Sequence, residues 1–198
     1  MPHKPLILAS LSPFRKSILE NAGLEFGVEG AKIDERELEK ALGKITPQEL
    51  AKELAIKKAE DVSGRFPDSL VIGCDQTLDL EGKALHKVSN LEGVRQRLVA
   101  LSGKTHYLHS GIALAKAGKA DWVGLSTAKM TVRSLSPEFI DYYIEKAGEN
   151  VQSSVGAYQV EGLGIQLFDK IEGDYFTIIG LPLLLLLQKL RETGIIIR

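Results

Sequence analysis

Four segments of this chain mark the start of a helix with their side chains: Ser12-Pro13, Thr46-Pro47-Gln48-Glu49, Ser89-Asn90-Leu91-Glu92 and Ser136-Pro137-Glu138. A hydroxyl at the N-cap accepts a bond from a free helix N–H, and proline at the first helical position gives up a donor that had no partner. Glutamate three residues after the cap reaches back to it. Between these starts lie apolar runs of strand length: Leu6-Ile7-Leu8-Ala9, residues 69–73, residues 107–115 and residues 122–132, some alternating at period two. The first helix is expected to end at Asn21-Ala22-Gly23 and the Thr46-capped helix near Val62. A third ends near Leu101 before Gly103, and Gly148 stops the helix whose apolar face is Phe139, Ile140, Tyr143, Ile144 and Ala147. Residues 176–179 read as a strand and 182–193 as a last helix. Strands alternating with helices predict an α/β (α+β) chain, a mixed twisted sheet with flanking helices and a central cleft.

The 198 residues, 44% hydrophobic and 26% charged, can bury one substantial core, so residues 1–198 are expected to form one domain or two lobes sharing a cleft. A net charge of −1 argues against a dedicated nucleic-acid or anionic-membrane binder, while leaving room for a small anionic ligand. The single cysteine, Cys74, excludes an internal disulfide and a cysteine-rich zinc site and fits the reducing cytoplasm. Residues 1–5 do not open a signal peptide, and the apolar stretch 178–187, interrupted by Gly180 and Pro182, reaches about half the ~20 residues of a membrane span.

Several residues could carry chemistry. After the first strand, the helix N-terminus at Ser12 offers free N–H groups and a positive dipole end, to which Ser10, Arg15 and Lys16 add a hydroxyl and two cations. The same residues also fit a plain cap and a solvated face. On the Thr46-capped helix, Ala51, Leu54, Ala55 and Val62 form an apolar stripe with Lys58 in its middle. An ammonium there must snorkel along its stem or meet an anion. Asp75 follows the apolar run 70–73 at the carboxyl end of the sheet, where it could serve a metal or act as a base, or simply sit in a turn. Asp34-Glu35 and His86-Lys87 are placed in loops, where isolated charges are usually solvated. His106 and His109 lack the helical spacing of a zinc pair and are assigned structural or substrate-contacting roles. The glycines of segment 156–164 do not form a dinucleotide fingerprint, and the chain has no Walker A sequence.

Taken together, residues 8–16, Asp34-Glu35, Lys58-Ala59, Gly73-Cys74-Asp75-Gln76, Lys87, Leu101-Ser102-Gly103-Lys104-Thr105-His106 and Gly180-Leu181-Pro182-Leu183 resemble the Maf family. The resemblance implies a fold related to inosine-triphosphate pyrophosphatases and a nucleoside triphosphate pyrophosphatase using Mg²⁺ or Mn²⁺. It also implies links to removal of modified nucleotides or to control of septum formation. Carried over by position, Ser10, Ser12, Arg15 and Lys16 look like triphosphate contacts, Lys58 and Lys87 like phosphate ligands, and Glu35 and Asp75 like the metal-side carboxylates, with Asp75 as proton acceptor. Phe14 stands where the family usually has arginine, Val88 where it has proline, and Ser154 and Glu161 where the dTTP/UTP branch has lysine and glutamine. Phe14 in the Ser-Pro turn, Gly73-Cys74-Asp75-Gln76 and Glu161-Gly162-Leu163-Gly164 look more like the 7-methyl-GTP branch, with Glu161 accepting from the donors of a cationic guanine. The rival readings are a dTTP/UTP pyrophosphatase, a phosphatase that releases inorganic phosphate, and a nucleotide-binding regulator without catalysis. The carboxylate pair distinguishes the last, since a sensor needs only the cationic cradle. A homodimer is the base-rate expectation.

Overall fold

The computed structural model describes residues 6–197. The reading of residues 1–5 as lacking a signal segment lies outside them. In chain order the elements are β1 (Leu6–Leu8), α1 (Pro13–Asn21), β2 (Gly27–Val28), α2 (Glu35–Leu42), α3 (Pro47–Arg65), β3 (Leu70–Leu80), β4 (Lys83–Leu85) and α4 (Leu91–Leu101). There follow β5 (Thr105–Lys116), β6 (Lys119–Val132), α5 (Pro137–Ala147), two 3₁₀ turns, β7 (Phe168–Glu172), α6 (Tyr175–Ile179) and α7 (Leu183–Glu192). The strands form one mixed seven-stranded sheet in the order β2-β1-β3-β5-β6-β7. β1 runs parallel to β2 and β3, the strands from β3 to β7 pair antiparallel, and β4 pairs only with the far end of β3. Among the described residues no helix is long and apolar enough to cross a membrane.

The caps act as their residue types require. Ser12, Thr46 and Ser136 each accept from a backbone N–H three residues on, and Glu49 completes the capping box of α3. Beside Ser89 the start shifts by one residue: Asn90 is the cap and bonds the N–H of Gly93 at 2.8 Å. Two expectations need larger corrections. Asp34-Glu35 is not a loop, because Asp34 caps α2 through the N–H groups of Arg36 and Glu37. Residues 176–179 are not a strand. Asp174 accepts from Thr177 N at 3.0 Å and Gly180, left-handed at φ +102°, closes the turn, so the β-branched run coils into α6.

The sheet is covered on both faces. α3 lies on one, packing Ala55, Ala59 and Val62 onto Val71, Ala113 and Ala115. On the other, α1 and α7 cover Ile72, Cys74, Ile112 and Leu114, while α4 and α5 cover Leu78, Leu108, Met130 and Val132 further along. Odd-numbered residues of β3 therefore face α3. The approach of α3 is unusually close. A Cβ on Gly73 would stand 2.1 Å from the Ala55 carbonyl oxygen, and one on Gly111 would stand 2.3 Å from that of Ala51. The helix meets the sheet with alanines, and the sheet answers with glycines.

Gly73→Ala is expected to cost about 3 kcal/mol, at the upper end of overpacking penalties, because the obstruction is backbone and cannot rotate away. Urea denaturation measures this; an unchanged midpoint would contradict the close contact.

Candidate active site

The cleft begins as an interruption in the sheet. β1 ends its pairing with β3 at Leu8–Ile72, and β4 takes up that edge only at Leu78. Between these points β3 continues without a neighbour on that side, so Asp75, Gln76 and Thr77 lie mid-strand beside an opening rather than in a turn after the strand. Open α/β sheets bind ligands at such breaks, beyond the carboxyl end of a strand.

A backbone edge left open inside a protein must be satisfied. Ala9 N donates to Ile72 O at 2.8 Å, and the next outward carbonyl, Cys74 O, receives Arg15 Nη1 at 3.0 Å. Arg15 also donates through Nε to Gly180 O at 2.9 Å and through Nη1 to Ser10 Oγ at 3.2 Å. Most of its directed hydrogen bonding thus goes to the protein itself, tying α1, β3 and the α6–α7 turn together. On the same face of β3 as α1, the Gln76 amide donates to Ser110 Oγ, Thr177 O and Ile178 O at 2.9 to 3.1 Å.

Close packing of α3 delivers Lys58 into the opening. Its ammonium lies 2.5 Å from Asp75 Oδ1 and 2.7 Å from Glu35 Oε1. Asp75 is 8% exposed and Lys58 9%, while the Glu35 side chain, on the outer helix α2, is 53% exposed. Burial pushes the Asp75 carboxyl above its usual range, and the Lys58 and Arg15 cations oppose this without cancelling it. Burial also disfavours the Lys58 ammonium, but Asp75 and Glu35 outweigh it and hold Lys58 above its ordinary value. The proton therefore rests on lysine, beside a carboxylate more basic than one in water.

Two connected cavities meet at this group. The first, about 350 Å³, is lined among others by Asp75, Thr77, Leu85, His86, Val155, Tyr158 and Glu161. The second opens over the Ala9–Pro13 turn and the Gly30-Ala31 backbone. Ser12, Phe14, Arg15, Glu35, Lys58, Lys87 and Gln159 line both. Of the residues expected from sequence, Ser10, Ser12, Arg15, Glu35, Lys58, Asp75, Lys87 and Glu161 thus share one cleft. Lys16 is not among its lining residues; its ammonium lies 3.6 Å from Glu20 on the outside of α1.

Sequence reasoning missed Arg36 and Glu39, which α2 presents to the cleft, with Glu39 3.5 Å from His86 Nε2. The signal was there: Asp34 followed by Glu35-Arg36-Glu37 is a capped, acidic first turn. It also missed the clamp behind the far wall, where Arg97 donates to Val155 O and, at 2.7 Å, to His86 O. Tyr158 is fixed there by His106, whose Nε2 lies 2.6 Å from its hydroxyl. His106 is fully buried, and its Nδ1 has no hydrogen-bond partner among the described residues. His109 bonds Asp79 and Thr127 away from the cleft, so both histidines are structural here.

The family model described as Maf-like protein matches residues 5–193. The chain is 58% identical over 191 residues to the 7-methyl-GTP pyrophosphatase of Bartonella quintana, covering 96% of each chain. It is 54% identical over 193 residues to that of Rhizobium johnstonii, covering 96% of this chain and 97% of the relative. A solved nucleoside-triphosphatase, a dITP/XTP pyrophosphatase from Mycobacterium abscessus, aligns at a TM-score of 0.40 and 15% identity over 72% of this chain and 93% of its own, too slight a likeness to argue from.

His106 supplies a pH test of the far wall. Burial, with the Arg97 charge adding to it, lowers its pKa from 6.5 to about 4. Between those values the unfolded chain binds the proton and the folded one does not. Stability from this source is therefore complete above the unfolded value and drains as pH falls to about 4, by about 3 kcal/mol in all. His106→Asn should lose less unfolding free energy than the parent between neutral pH and pH 4. Parallel losses in urea titrations would show that His106 is not held neutral.

Proposed function

The chain belongs to the Maf family, and on that premise we propose that it is a cytoplasmic enzyme hydrolysing a nucleoside triphosphate to the monophosphate and pyrophosphate, with 7-methyl-GTP or a similarly cationic nucleotide as substrate. The observation that carries this reading is the convergence of Asp75 and Glu35 on Lys58 where the two cavities join. The relatives bearing the name 7-methyl-GTP pyrophosphatase support it across nearly their whole length.

Cleavage between the α and β phosphates requires water to attack the α-phosphorus, its proton to be taken up, and the charge on departing pyrophosphate to be neutralised. Asp75 is placed to accept the proton, and its burial raises its basicity for that task. Lys58 and Lys87 supply positive charge at the junction, and the N-terminus of α1, capped by Ser12, brings its positive dipole end to the turn-side cavity. Arg15 contributes charge from a fixed position while bracing the turn.

A divalent cation fits this donor set. Magnesium is commonly held by one or two carboxylates with substrate phosphates and water completing the shell. Glu35 and Asp75 provide that pair, and among the described residues no group of three acidic, histidine or cysteine ligands exists to hold a metal without substrate. Bound there, Mg²⁺ or Mn²⁺ would neutralise phosphate charge. Glu161, facing the other cavity, gives a cationic base an anion to read, and Tyr158 adds an aromatic wall.

Purified protein with Mg²⁺ should release pyrophosphate and turn over 7-methyl-GTP faster than dTTP or UTP. Inorganic phosphate as first product would replace this reading with a phosphatase. Asp75→Asn is expected to lower kcat about a thousandfold while unfolding remains cooperative. Glu161→Gln should lower the preference for 7-methyl-GTP over GTP about tenfold, seen in the ratio of kcat/KM values.

A further inference from the structure

Lys58 occupies the space that the carboxylate pair would offer a metal. Its nitrogen is 2.5 Å from Asp75 and 2.7 Å from Glu35, a little more than the ~2.1 Å of a magnesium–oxygen bond. An ammonium and a divalent cation cannot share the same two oxygens without strong repulsion. Resting on the catalytic reading above, we propose that Lys58 is the resident counter-ion of Asp75 and Glu35, and that divalent metal and Lys58 exchange places when triphosphate binds.

Three observations make the exchange workable. Lys58 lines both cavities, so its ammonium can turn from the carboxylates to a phosphate without moving α3. Asp75 is fixed on a central strand, whereas Glu35 rides on α2, a helix with no buried residue, and can follow whichever cation is present. In direct contact the two carboxylates meet one ammonium, with Arg15 acting on Asp75 from farther off, and a cation of higher charge gains more from the pair than Lys58 does.

The energetic consequence is a coupling. Without nucleotide, a metal must strip Lys58 of both partners while nothing else takes up the buried ammonium, so metal alone binds weakly. A triphosphate gives Lys58 another anion, and by linkage metal and nucleotide then raise each other's affinity by the same factor. Coupling of this origin depends on a charge at position 58, unlike the ordinary affinity of magnesium for free triphosphate.

The test is titration of Mn²⁺ into nucleotide-free protein, reading free Mn²⁺ by electron paramagnetic resonance. Lys58→Gln is expected to bind one Mn²⁺ about tenfold more tightly than the parent, and adding Asp75→Asn to that variant should abolish the gain. Lys58→Arg, which keeps the charge, should bind as weakly as the parent. Lys58→Met fills the same apolar channel without charge and gives the same reading if the glutamine variant does not fold. Equal or weaker Mn²⁺ binding by the uncharged variants would overturn the exchange, as would tight binding by the parent without nucleotide. Pyrophosphate release by the parent is measured separately, so failure of the exchange and failure of the catalytic reading remain distinct.

Discussion

One buried ammonium between two carboxylates sets the terms for the rest of this molecule. Removing these charges from water costs several kcal/mol per ion, and their mutual attraction recovers that only where geometry is tight and partners are complete. Lys58 meets both conditions, but only because α3 rests almost directly on the sheet at Gly73 and Gly111. A side chain at either glycine would lift the helix and withdraw the lysine. The alanine stripe, the two glycines and the ion group are thus one arrangement. Apolar residues in place of the whole ion group would pack at least as well, so stability gives no reason to keep charges there. Chemistry on an anionic ligand does.

The cleft owes its existence to a missing strand. Where β1 stops and β4 has not begun, β3 would leave backbone carbonyls facing a cavity, and Arg15 fills the gap at Cys74 while its other bonds fasten the turn and the α6–α7 connection. A residue read from sequence as a phosphate contact is first a brace, with its charge left to act over the last few ångströms. Gln76 does the same beside it, using its amide to hold α6.

Much of this is legible in the sequence alone. The caps located α1, α3, α4 and α5, and a lysine in the middle of an apolar stripe had to meet an anion, as it does. What escaped had physical causes. α2 has no buried face, so apolar periodicity was silent and only the Asp34 cap spoke for it. Phe176-Thr177-Ile178-Ile179 has strand-like composition, overridden by Asp174 and Gly180 at its ends. β3 was read as ending at Gly73 because polar Asp75, Gln76 and Thr77 follow, yet each is satisfied by a partner from another element: Lys58, the α6 carbonyls, and Pro47 O at 2.8 Å. Such pairings are tertiary facts that no local pattern contains. The bracing role of Arg15 escaped for the same reason, since its partners lie 59 and 165 residues away.

The position of the carboxylate pair within the cleft also bears on which bond breaks. An enzyme removing a terminal phosphate needs its reacting group at the end of the space that holds the phosphate chain. One that cleaves between α and β needs it in the middle, with pyrophosphate to one side and a nucleoside monophosphate to the other. Here Glu35 and Lys58 belong to both cavities, and the two sides differ in kind. One is a turn of small residues at a helix N-terminus, suited to phosphate oxygens. The other is lined by Leu85, Val155, Tyr158 and Glu161, suited to a flat base carrying donors or positive charge. Placing the ion group at the divide favours scission at the α-phosphorus, and it does so from the shape of the cleft, independently of what the relatives are named.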